Sequence, residues 1–478
     1  MPVERTIGNE LLQRVPVEVV SHILQSVPKR RDLVQFALTC RAGRDLAYPV
    51  LYRHIAVRSP RAVDSCLCTL ATSETNLAAF VRTFEFLSWV SDLFDDEHNL
   101  PELRWFRDAF NRMDKLEELI CEKAMTEDLC IGLFSRPKDS LKSLTISFTS
   151  NVSASRQDPF TTANLDALSL HLHLPRLIEL HLRISHLHEK DSGHWELMHR
   201  LLVNHAPQLR YLSVVGHCKP QKLTRLITKS MSFPVLESLT GSYDGINSLH
   251  TEQIPNVKCL AFGAGPEEGY FNLRPLLPQL DVLCCSFKTA AALLNDSHTL
   301  NTLRMRDEVG MKVVNIANSL APVIYCQRTL QELTLIYTHA PVFLNEILKG
   351  LPELPALNTL TIRAFYFYRG VPGTVDNFID AESLISFGRD VFPKLPRLTT
   401  LLIKETASPQ QAPYKHKLQG SMQRKVLDAW SELHPSLNRV SFSQLFEWVR
   451  MEDGKWMYPS DVVFDPDPST FPSVDVIP

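Results

Sequence analysis

Most of the chain repeats one short pattern of apolar positions, which is clearest between Pro355 and Ile362. Leu360 and Ile362 are two residues apart, so an extended segment points both side chains to the same face. Leu357 lies three residues before Leu360. Pro355 prevents a helix from running through this point, because proline lacks an N–H and fixes φ. The pattern therefore predicts a turn followed by a short β-strand with one buried face.

The same spacing recurs along the rest of the sequence. Copies with the proline start at Pro175, Pro207, Pro234, Pro255, Pro278, Pro396 and Pro435, and copies without it start at Leu116, Leu141, Leu300 and Leu330, after a weaker first copy at Val81–Phe86. A strand with a single apolar face is not stable alone in water, so the copies must stack side by side. The repetition predicts a curved parallel sheet, with helices and loops on its convex side.

This pattern resembles that of leucine-rich repeat proteins, and the resemblance implies an α/β solenoid over residues 59–458. A regular repeat would place Asn or Cys three residues after the last apolar strand position. Asn stands there in none of the copies, and Ser185 is one of the residues found instead. The spacing is also uneven, being long between Leu357 and Leu398. We therefore expect an irregular solenoid.

The end of the sequence predicts a cap and a tail. Apolar residues flank Asp453-Gly454, which is a hairpin turn signal. We expect this hairpin to place Met451 opposite Trp456 and to cover the edge of the last repeat. Residues 459–478 contain prolines and aspartates but no Lys or Arg, which predicts a disordered acidic tail.

The N-terminal region does not follow the repeat and predicts three short helices. Val15, Val19 and Ile23 recur at helical spacing, and a second apolar series shares the same segment. So small a segment with so many apolar positions should leave one apolar face for a partner. The predicted helices start near Pro16, Arg31 and Cys40.

Several short motifs occur in order along residues 11–58. They are Val15-Pro16, Glu18-Val19-Val20, Ile23-Leu24, Asp32-Leu33, Leu38-Thr39-Cys40-Arg41 and Leu51-Tyr52-Arg53-His54-Ile55. This ordered set resembles an F-box, and the closing pentapeptide is similar to that of many fungal members. The segment departs from the family at Thr39, where Val is usual, and it lacks the tryptophan common in the third helix.

The F-box resemblance implies a partner and a function. F-box segments dock onto the Skp adaptor of a cullin-based, SCF-type ubiquitin ligase, and the repeats behind them hold a protein substrate. The resemblance thus implies that the chain is a substrate-recognition subunit, with residues 1–10 as an N-terminal extension. The implied adaptor-binding residues are Val15, Pro16, Val19, Ile23, Leu33, Leu38 and Cys40.

Two alternatives to this interpretation remain open. The three helices could be a cap that covers the first repeat, since solenoids need end caps. Such a cap would bury Val15, Pro16, Val19 and Ile23 against its own chain. The repeats could also form a protein-binding scaffold outside any ligase.

The strand residues between the inward-facing leucines should line the concave face and bind the substrate. Arginine binds carboxylate and phosphate groups bidentately, so the later copies predict a site for an acidic or phosphorylated substrate. The alternative is that these residues are ordinary solvated strand positions. The candidate substrate-binding residues are His181, Arg183, Tyr211, Arg304, Arg306, Arg363 and Lys404.

Composition narrows the class of protein. The formal net charge of −3 gives no bulk attraction to nucleic acid or to an anionic membrane. No apolar run approaches the ~20 residues that a membrane helix needs. Ten cysteines without a secretion signal predict reduced thiols, and hence an intracellular protein in the cytoplasm, the nucleus or both. We expect no obligate homo-oligomer.

The sequence contains no recognisable catalytic motif. G-x-S-x-G, H-E-x-x-H and P-loop patterns are absent. Histidines are frequent between His171 and His205, but no cysteine lies among them at the spacing of zinc ligands. We therefore expect a non-enzymatic protein without a metal or cofactor. A hydrolase or metal enzyme on this scaffold would need a convergent cluster of titratable residues.

Overall fold

The structure is a computed structural model. Its residues fall into two compact units, 1–236 and 237–478. The predicted extension at residues 1–10 and the predicted tail at residues 459–478 lie outside the described residues. Described are residues 15–86, 104–124, 138–149, 172–185, 192–217, 226–228, 230–241, 249–262, 277, 279–294, 299–307, 316–337, 342–343, 347, 350–364, 367–368, 381–405, 420–442 and 447–457.

The first unit starts with three helices and continues as a parallel sheet. Its helices are α1 (Val17–Gln25), α2 (Arg30–Thr39), α3 (Arg41–Leu51), α4 (Pro60–Thr72), α5 (Arg104–Arg112) and α6 (Ser192–His205), with a 3₁₀ turn at Leu77–Phe80. Its strands are β1 (His54–Val57), β2 (Thr83–Phe86), β3 (Glu118–Ala124), β4 (Ser143–Thr149), β5 (Glu179–Ser185) and β6 (Tyr211–His217). The strands pair in chain order, and every pair is parallel.

The second unit is also built on a sheet whose strands follow chain order. Its main strands are β7 (Ser238–Gly241), β8 (Cys259–Phe262), β9 (Val282–Ser286), β10 (Thr302–Arg306), β11 (Glu332–Tyr337), β13 (Thr359–Ala364), β15 (Thr400–Glu405), β16 (Arg439–Ser441), β17 (Trp448–Arg450) and β18 (Trp456–Met457), while β12 (Val342–Phe343) and β14 (Phe367–Tyr368) pair separately. Its helices are α7 (Phe287–Leu293), α8 (Ile316–Ser319), α9 (Ala381–Val391) and α10 (Gly420–Leu433), with 3₁₀ turns at Thr251–Gln253, Ala321–Cys326 and Phe392–Lys394. The predicted α/β class, helices followed by a parallel sheet of many strands, is confirmed.

The register of the strands aligns the repeated apolar positions into buried rows. Leu303 on β10 lies between Leu283 on β9 and Leu333 on β11, and all three side chains are fully buried. The row continues through Leu360 and Leu401. Each leucine thus removes its apolar surface from water only because the neighbouring strands supply the same residue at the same height.

The residue before the repeated proline is a core position that the repeat pattern did not include. In Leu354-Pro355-Ala356-Leu357 the Leu357 N–H donates to the Leu354 carbonyl at 3.2 Å, so the proline occupies the second position of a β-turn. Leu354 is fully buried, as is Leu357. The same turn bond occurs in other copies, for example from Leu177 to Leu174 and from Leu398 to Leu395. The repeat therefore buries three apolar positions before its last strand residue.

Within each unit, one carbonyl joins a parallel strand to the start of the next at the positions described. The Glu117 carbonyl accepts from the Lys142 N–H at 2.7 Å and from the Ser143 N–H at 3.1 Å. The Asn358 carbonyl accepts in the same way from the Thr399 and Thr400 N–H groups. This shared backbone bond holds the strand starts in register and satisfies two backbone N–H groups of each new strand.

A hairpin follows the last parallel strand, and its register differs from the register that the sequence suggested. β17 pairs antiparallel with β16 and with β18, so the hairpin extends the sheet. Trp456 pairs with Arg450 rather than with Met451, because the turn contains one residue more than a two-residue loop would. Gly454 has a φ of 82° at the tip, a conformation that favours glycine. The Trp456 indole Nε1 donates to Ser431 Oγ at 2.7 Å and attaches the hairpin to α10.

Within the described residues, none of the helices combines the length and the apolar character that crossing a bilayer requires.

Two buried histidines attach one repeat to the preceding one. The His205 Nε2 lies 2.7 Å from the Leu172 carbonyl, and its Nδ1 lies 3.2 Å from the Gln208 Nε2, which donates to it. The His434 Nε2 lies 2.9 Å from the Leu398 carbonyl. Burial lowers the pKa of both rings, against the opposing effect of these carbonyls. The neutral rings therefore fit the folded chain better than the charged ones.

This arrangement predicts an acid-sensitive fold. The folded-state pKa lies below the unfolded value of about 6.5, so the contribution to stability is complete above that pH and is lost as the pH falls through the folded-state pKa. The free energy of unfolding from urea titrations should fall more steeply between about pH 7.5 and pH 5.5 for the wild type than for His205→Gln/His434→Gln. His22→Gln, at an exposed position of α1, is the control. Equal slopes in the wild type and the double variant would contradict this prediction.

Candidate protein-binding surfaces

The three N-terminal helices share a small core of their own. α3 packs against both α1 and α2. The core residues are Val20 and Leu24 on α1, Leu33 on α2, and Ala47 and Leu51 on α3. Leu33 is only 6% exposed, so its side chain contributes to this core rather than to the surface.

The junction between α2 and α3 fixes the angle of the two helices. Cys40 precedes α3, and its Sγ accepts a hydrogen bond from the Gly43 N–H at 3.2 Å. A Cβ on Gly43 would lie 2.8 Å from the Phe36 carbonyl oxygen, so only glycine permits this approach. The Arg30 guanidinium reaches the other end of α3 and donates to the Leu51 carbonyl at 3.1 Å. Half-buried Cys40 is thus a capping residue in this structure.

The opposite side of α1 and α2 carries an exposed apolar face. Val19 and Ile23 are four residues apart on α1, and Val34 and Leu38 are four apart on α2, so each pair lies on one side of its helix. Ile23 is 57% exposed and Leu38 is 74% exposed. We call this set, together with Val15 before α1 and Val17 in its first turn, the exposed apolar face; its members are Val15, Val17, Val19, Ile23, Val34 and Leu38.

Most of the residues implied for adaptor binding lie at this face. Val15, Val19, Ile23 and Leu38 belong to it, and Pro16 is exposed next to Val15. A helical cap would bury the first three of these and Pro16, which does not fit their exposure in the part of the chain that the structure describes. The sequence interpretation omitted Val17 and Val34. Val34 could have been found from its helical spacing to Leu38, whereas Val17 is two residues from both Val15 and Val19 and carries no such signal.

The helices are continuous with the sheet behind them. Three residues after α3 the chain enters β1, which pairs in parallel with β2. The Arg53 carbonyl accepts from the Arg82 and Thr83 N–H groups, as at the later strand starts. The exposed apolar face is therefore built on a segment anchored to the sheet of the first unit.

The candidate substrate-binding residues of the first unit lie on two adjacent strands. His181 and Arg183 are on β5, and Tyr211 is on β6 opposite Glu179. All three are half-buried. Burial lowers the pKa of His181, and the carboxylate of Glu179 opposes this effect. The Arg210 guanidinium lies 5.8 Å from the centre of the Tyr211 ring, within reach of a cation–π contact.

The candidates of the second unit lie on three of four consecutive strands. Arg304 and Arg306 are on β10, Arg363 is on β13, and Lys404 is on β15 directly opposite Arg363. Strand β11, between β10 and β13, carries Ile336 in the row that joins Arg306 to Arg363. The register therefore brings three cations into one row and places Arg304 in the neighbouring row on the same face.

Lys404 differs from the arginines because it has an acidic partner. Its Nζ lies 3.0 Å from Glu447 Oε1, and Glu447 also pairs with Arg439. Burial raises the pKa of Glu447, but the hydrogen bonds and charges of Lys404 and Arg439 outweigh it, and the pKa is lowered overall. Lys404 is thus compensated within the protein.

The described residues offer little for nucleophilic or metal chemistry. Among them no group of three or more His, Cys, Asp and Glu side chains could hold a metal ion. Burial raises the pKa of the Cys66 and Cys284 thiols to about 11 and that of Cys326 to about 12. These thiols are therefore protonated near neutral pH, whereas the thiolate is the reactive form.

Comparisons with known proteins identify the N-terminal helices. Residues 12–58 match the F-box-like family. No curated protein matches the chain. Among solved structures, the chain is similar to one from the crystal structure of the Rad7 and Elc1 complex in yeast, at 12% sequence identity and a TM-score of 0.36 over 85% of this chain and 93% of that chain. The chain therefore contains an F-box-like domain at residues 12–58, and the exposed apolar face lies on it.

Proposed function

We propose that this protein is the substrate-recognition subunit of an SCF-type ubiquitin ligase. The observation that carries the proposal is the exposed apolar face on an F-box-like domain. An isolated surface valine is ordinary, but six large apolar residues exposed within one small domain indicate a surface that another protein covers. A Skp-type adaptor is the partner that this domain implies, with a cullin bound beyond it.

The mechanism in this proposal is proximity. The F-box-like domain binds the adaptor, the repeats bind a protein substrate, and other subunits perform the ubiquitin chemistry. Tethering the substrate raises its local concentration at those subunits and removes the need for a chance encounter. The chain itself then needs no catalytic residues. The leucine-rich repeat assignment and the substrate role of the candidate residues belong to the same proposal.

Complex formation with a purified Skp-type adaptor tests the proposal. We expect the full chain and the adaptor to elute together from size-exclusion chromatography, with a light-scattering mass of one copy of each. Addition of a cullin amino-terminal domain should shift the complex to a higher mass. A chain that elutes alone at micromolar concentrations of both proteins would contradict the proposal and favour a scaffold outside the ligase.

A further inference from the structure

Arg304, Arg306 and Arg363 form a set on the sheet of the second unit that we call the arginine cluster. We propose that this cluster is an oxyanion-binding site that takes an acidic side chain, a carboxylate or a phosphate ester, from the bound substrate. The inference rests on the proposed receptor function for the identity of the ligand as substrate. The anion binding itself can be measured without the adaptor.

The sheet places the three arginine residues on one patch of its surface. Arg306 and Arg363 stand in the same row, separated only by Ile336 on β11, and Arg304 lies in the adjacent row. With neighbouring strands ~4.8 Å apart, the Cα atoms of Arg306 and Arg363 are roughly 10 Å apart. Arginine side chains are long enough to converge on one group between them from that distance. Thr334 and Thr361 lie in the row of Arg304, so the floor beside the cluster is made of small hydroxyl side chains.

One N–H donor of the Arg363 guanidinium has no hydrogen-bond acceptor. Its Nε is buried and has no hydrogen-bond partner. A buried donor without an acceptor costs about 1–3 kcal/mol, and more for a charged group. An oxyanion supplies such an acceptor, because carboxylate and phosphate groups accept two parallel N–H bonds from one guanidinium. The Nε without a partner therefore indicates that the site lacks a hydrogen-bond acceptor, which an oxyanion would supply.

The charge of the cluster is also uncompensated among the described residues. No ion pair joins Arg304, Arg306 or Arg363 to a carboxylate in that part of the chain, whereas Lys404 next to them pairs with Glu447. Burial lowers the pKa of Arg363, and the positive charge of Arg304 lowers it further. The two arginines therefore repel each other, and an anion bound between them would relieve that repulsion.

Fluorescence anisotropy with three labelled peptides of equal length tests the site on the full chain. One peptide carries several glutamates, one carries a phosphoserine in a neutral background, and one is neutral throughout. We expect one or both anionic peptides to bind, the neutral peptide not to bind, and the affinity to fall with added salt. The tighter of the two anionic peptides identifies the source of the oxyanion as carboxylate or phosphate.

Variants that each remove one positive charge, inside or outside the arginine cluster, distinguish binding at the cluster from general electrostatic attraction. Arg363→Gln should weaken the anionic peptide roughly ten- to a hundredfold, the range expected for hydrogen bonds to a charged group. Arg363→Lys keeps the charge but loses the planar pair of donors, so it should recover only part of the affinity. Lys425→Gln removes a cation that already has an acidic partner, Glu382, and lies outside the candidate residues, so it should change the affinity by less than about threefold.

The outcomes separate this inference from the receptor proposal. Failure of both anionic peptides to bind the wild type, or equal binding by Arg363→Gln and the wild type, would overturn the arginine cluster as an anion site. Either result leaves the adaptor experiment independent, because the adaptor is proposed to bind the F-box-like domain at residues 12–58 and not the arginine cluster. Circular dichroism melting curves of each variant exclude unfolding as the cause of a lost affinity.

Discussion

Ile23→Asp combined with Leu38→Asp is expected to abolish binding of a Skp-type adaptor while leaving the fold intact. These side chains are 57% and 74% exposed, so charging them costs the free chain little. In a complex each would place a carboxylate in an apolar contact. Two such central contacts at about 2 kcal/mol each weaken binding by roughly a thousandfold. Isothermal titration calorimetry with the purified adaptor measures the loss.

The control must be an equally exposed apolar residue elsewhere in the same unit. Val203 on α6 is 47% exposed and lies outside the F-box-like domain. Val203→Asp should bind the adaptor with an affinity within about threefold of the wild type, since a surface substitution away from the interface changes little. A similar loss in Val203→Asp and in the double variant, or none in either, would show that the exposed apolar face is not the contact.

The sequence predicted the parallel sheet correctly because the features that define each strand lie close together in the chain. An apolar residue at every second position defines a strand face, and a proline before it stops a helix. The turn position illustrated by Leu354 was missed although it precedes Pro355. It lies outside the two-residue period, and only the turn bond from Leu357 brings it into the core. The signal was present as an apolar residue before most of the repeated prolines.

The buried face of each F-box-like helix was harder to predict from the sequence, because apolar residues occur on both faces of the helix. Sequence spacing alone could not decide whether Leu33 or Val34 of α2 faces α3. The packing of α3 decides it by burying Leu33 with Ala47 and Leu51. The result leaves Val34 with Leu38 on the exposed side. An amphipathic pattern identifies the inner stripe of a helix only when the other face is polar.

The charged positions of the sheet could be located from the sequence, but their partners could not. The strand period alone predicted that Arg304, Arg363 and Lys404 share a face. The Glu447 partner of Lys404 is 43 residues away in sequence and is brought close by the C-terminal hairpin. The charge of Lys404 is thus neutralised by a residue distant in sequence, whereas the arginines of the cluster lack such a partner among the described residues. A local sequence pattern cannot predict this difference.

Trp430→Ala is expected to be the most destabilising single substitution in the second unit. Trp430 on α10 is fully buried, and its Nε1 donates to the Leu384 carbonyl on α9 at 2.9 Å. Its ring also packs on Phe392 and Phe442 at centre distances of 5.6 Å and 5.5 Å. Loss of a fully buried tryptophan costs about 3–5 kcal/mol, and the orphaned carbonyl adds to this. Urea unfolding followed by circular dichroism measures the change in the free energy of unfolding.

Met422→Ala on the same helix is the matched control. Met422 is 43% exposed, so this substitution should change the free energy of unfolding by less than about 0.5 kcal/mol. Hydrogen exchange should speed up in α9 and α10 of Trp430→Ala, because the indole joins these two helices. Unchanged exchange in α9 would contradict the bridging role of the indole.

Gly388 on α9 supplies a second test of the same contact. A Cβ at this position would lie 2.6 Å from Cδ1 of the Trp430 ring, so Gly388→Ala should destabilise the wild type by about 1–3 kcal/mol through overpacking. In the Trp430→Ala background the ring is absent, and of these close contacts only the one with Phe392 Cε2 at 2.9 Å remains. The second substitution should then cost less than it does in the wild type, because the larger part of the overlap has been removed. Additive costs in the double variant would mean that the two residues do not touch in solution, since contact makes substitutions non-additive.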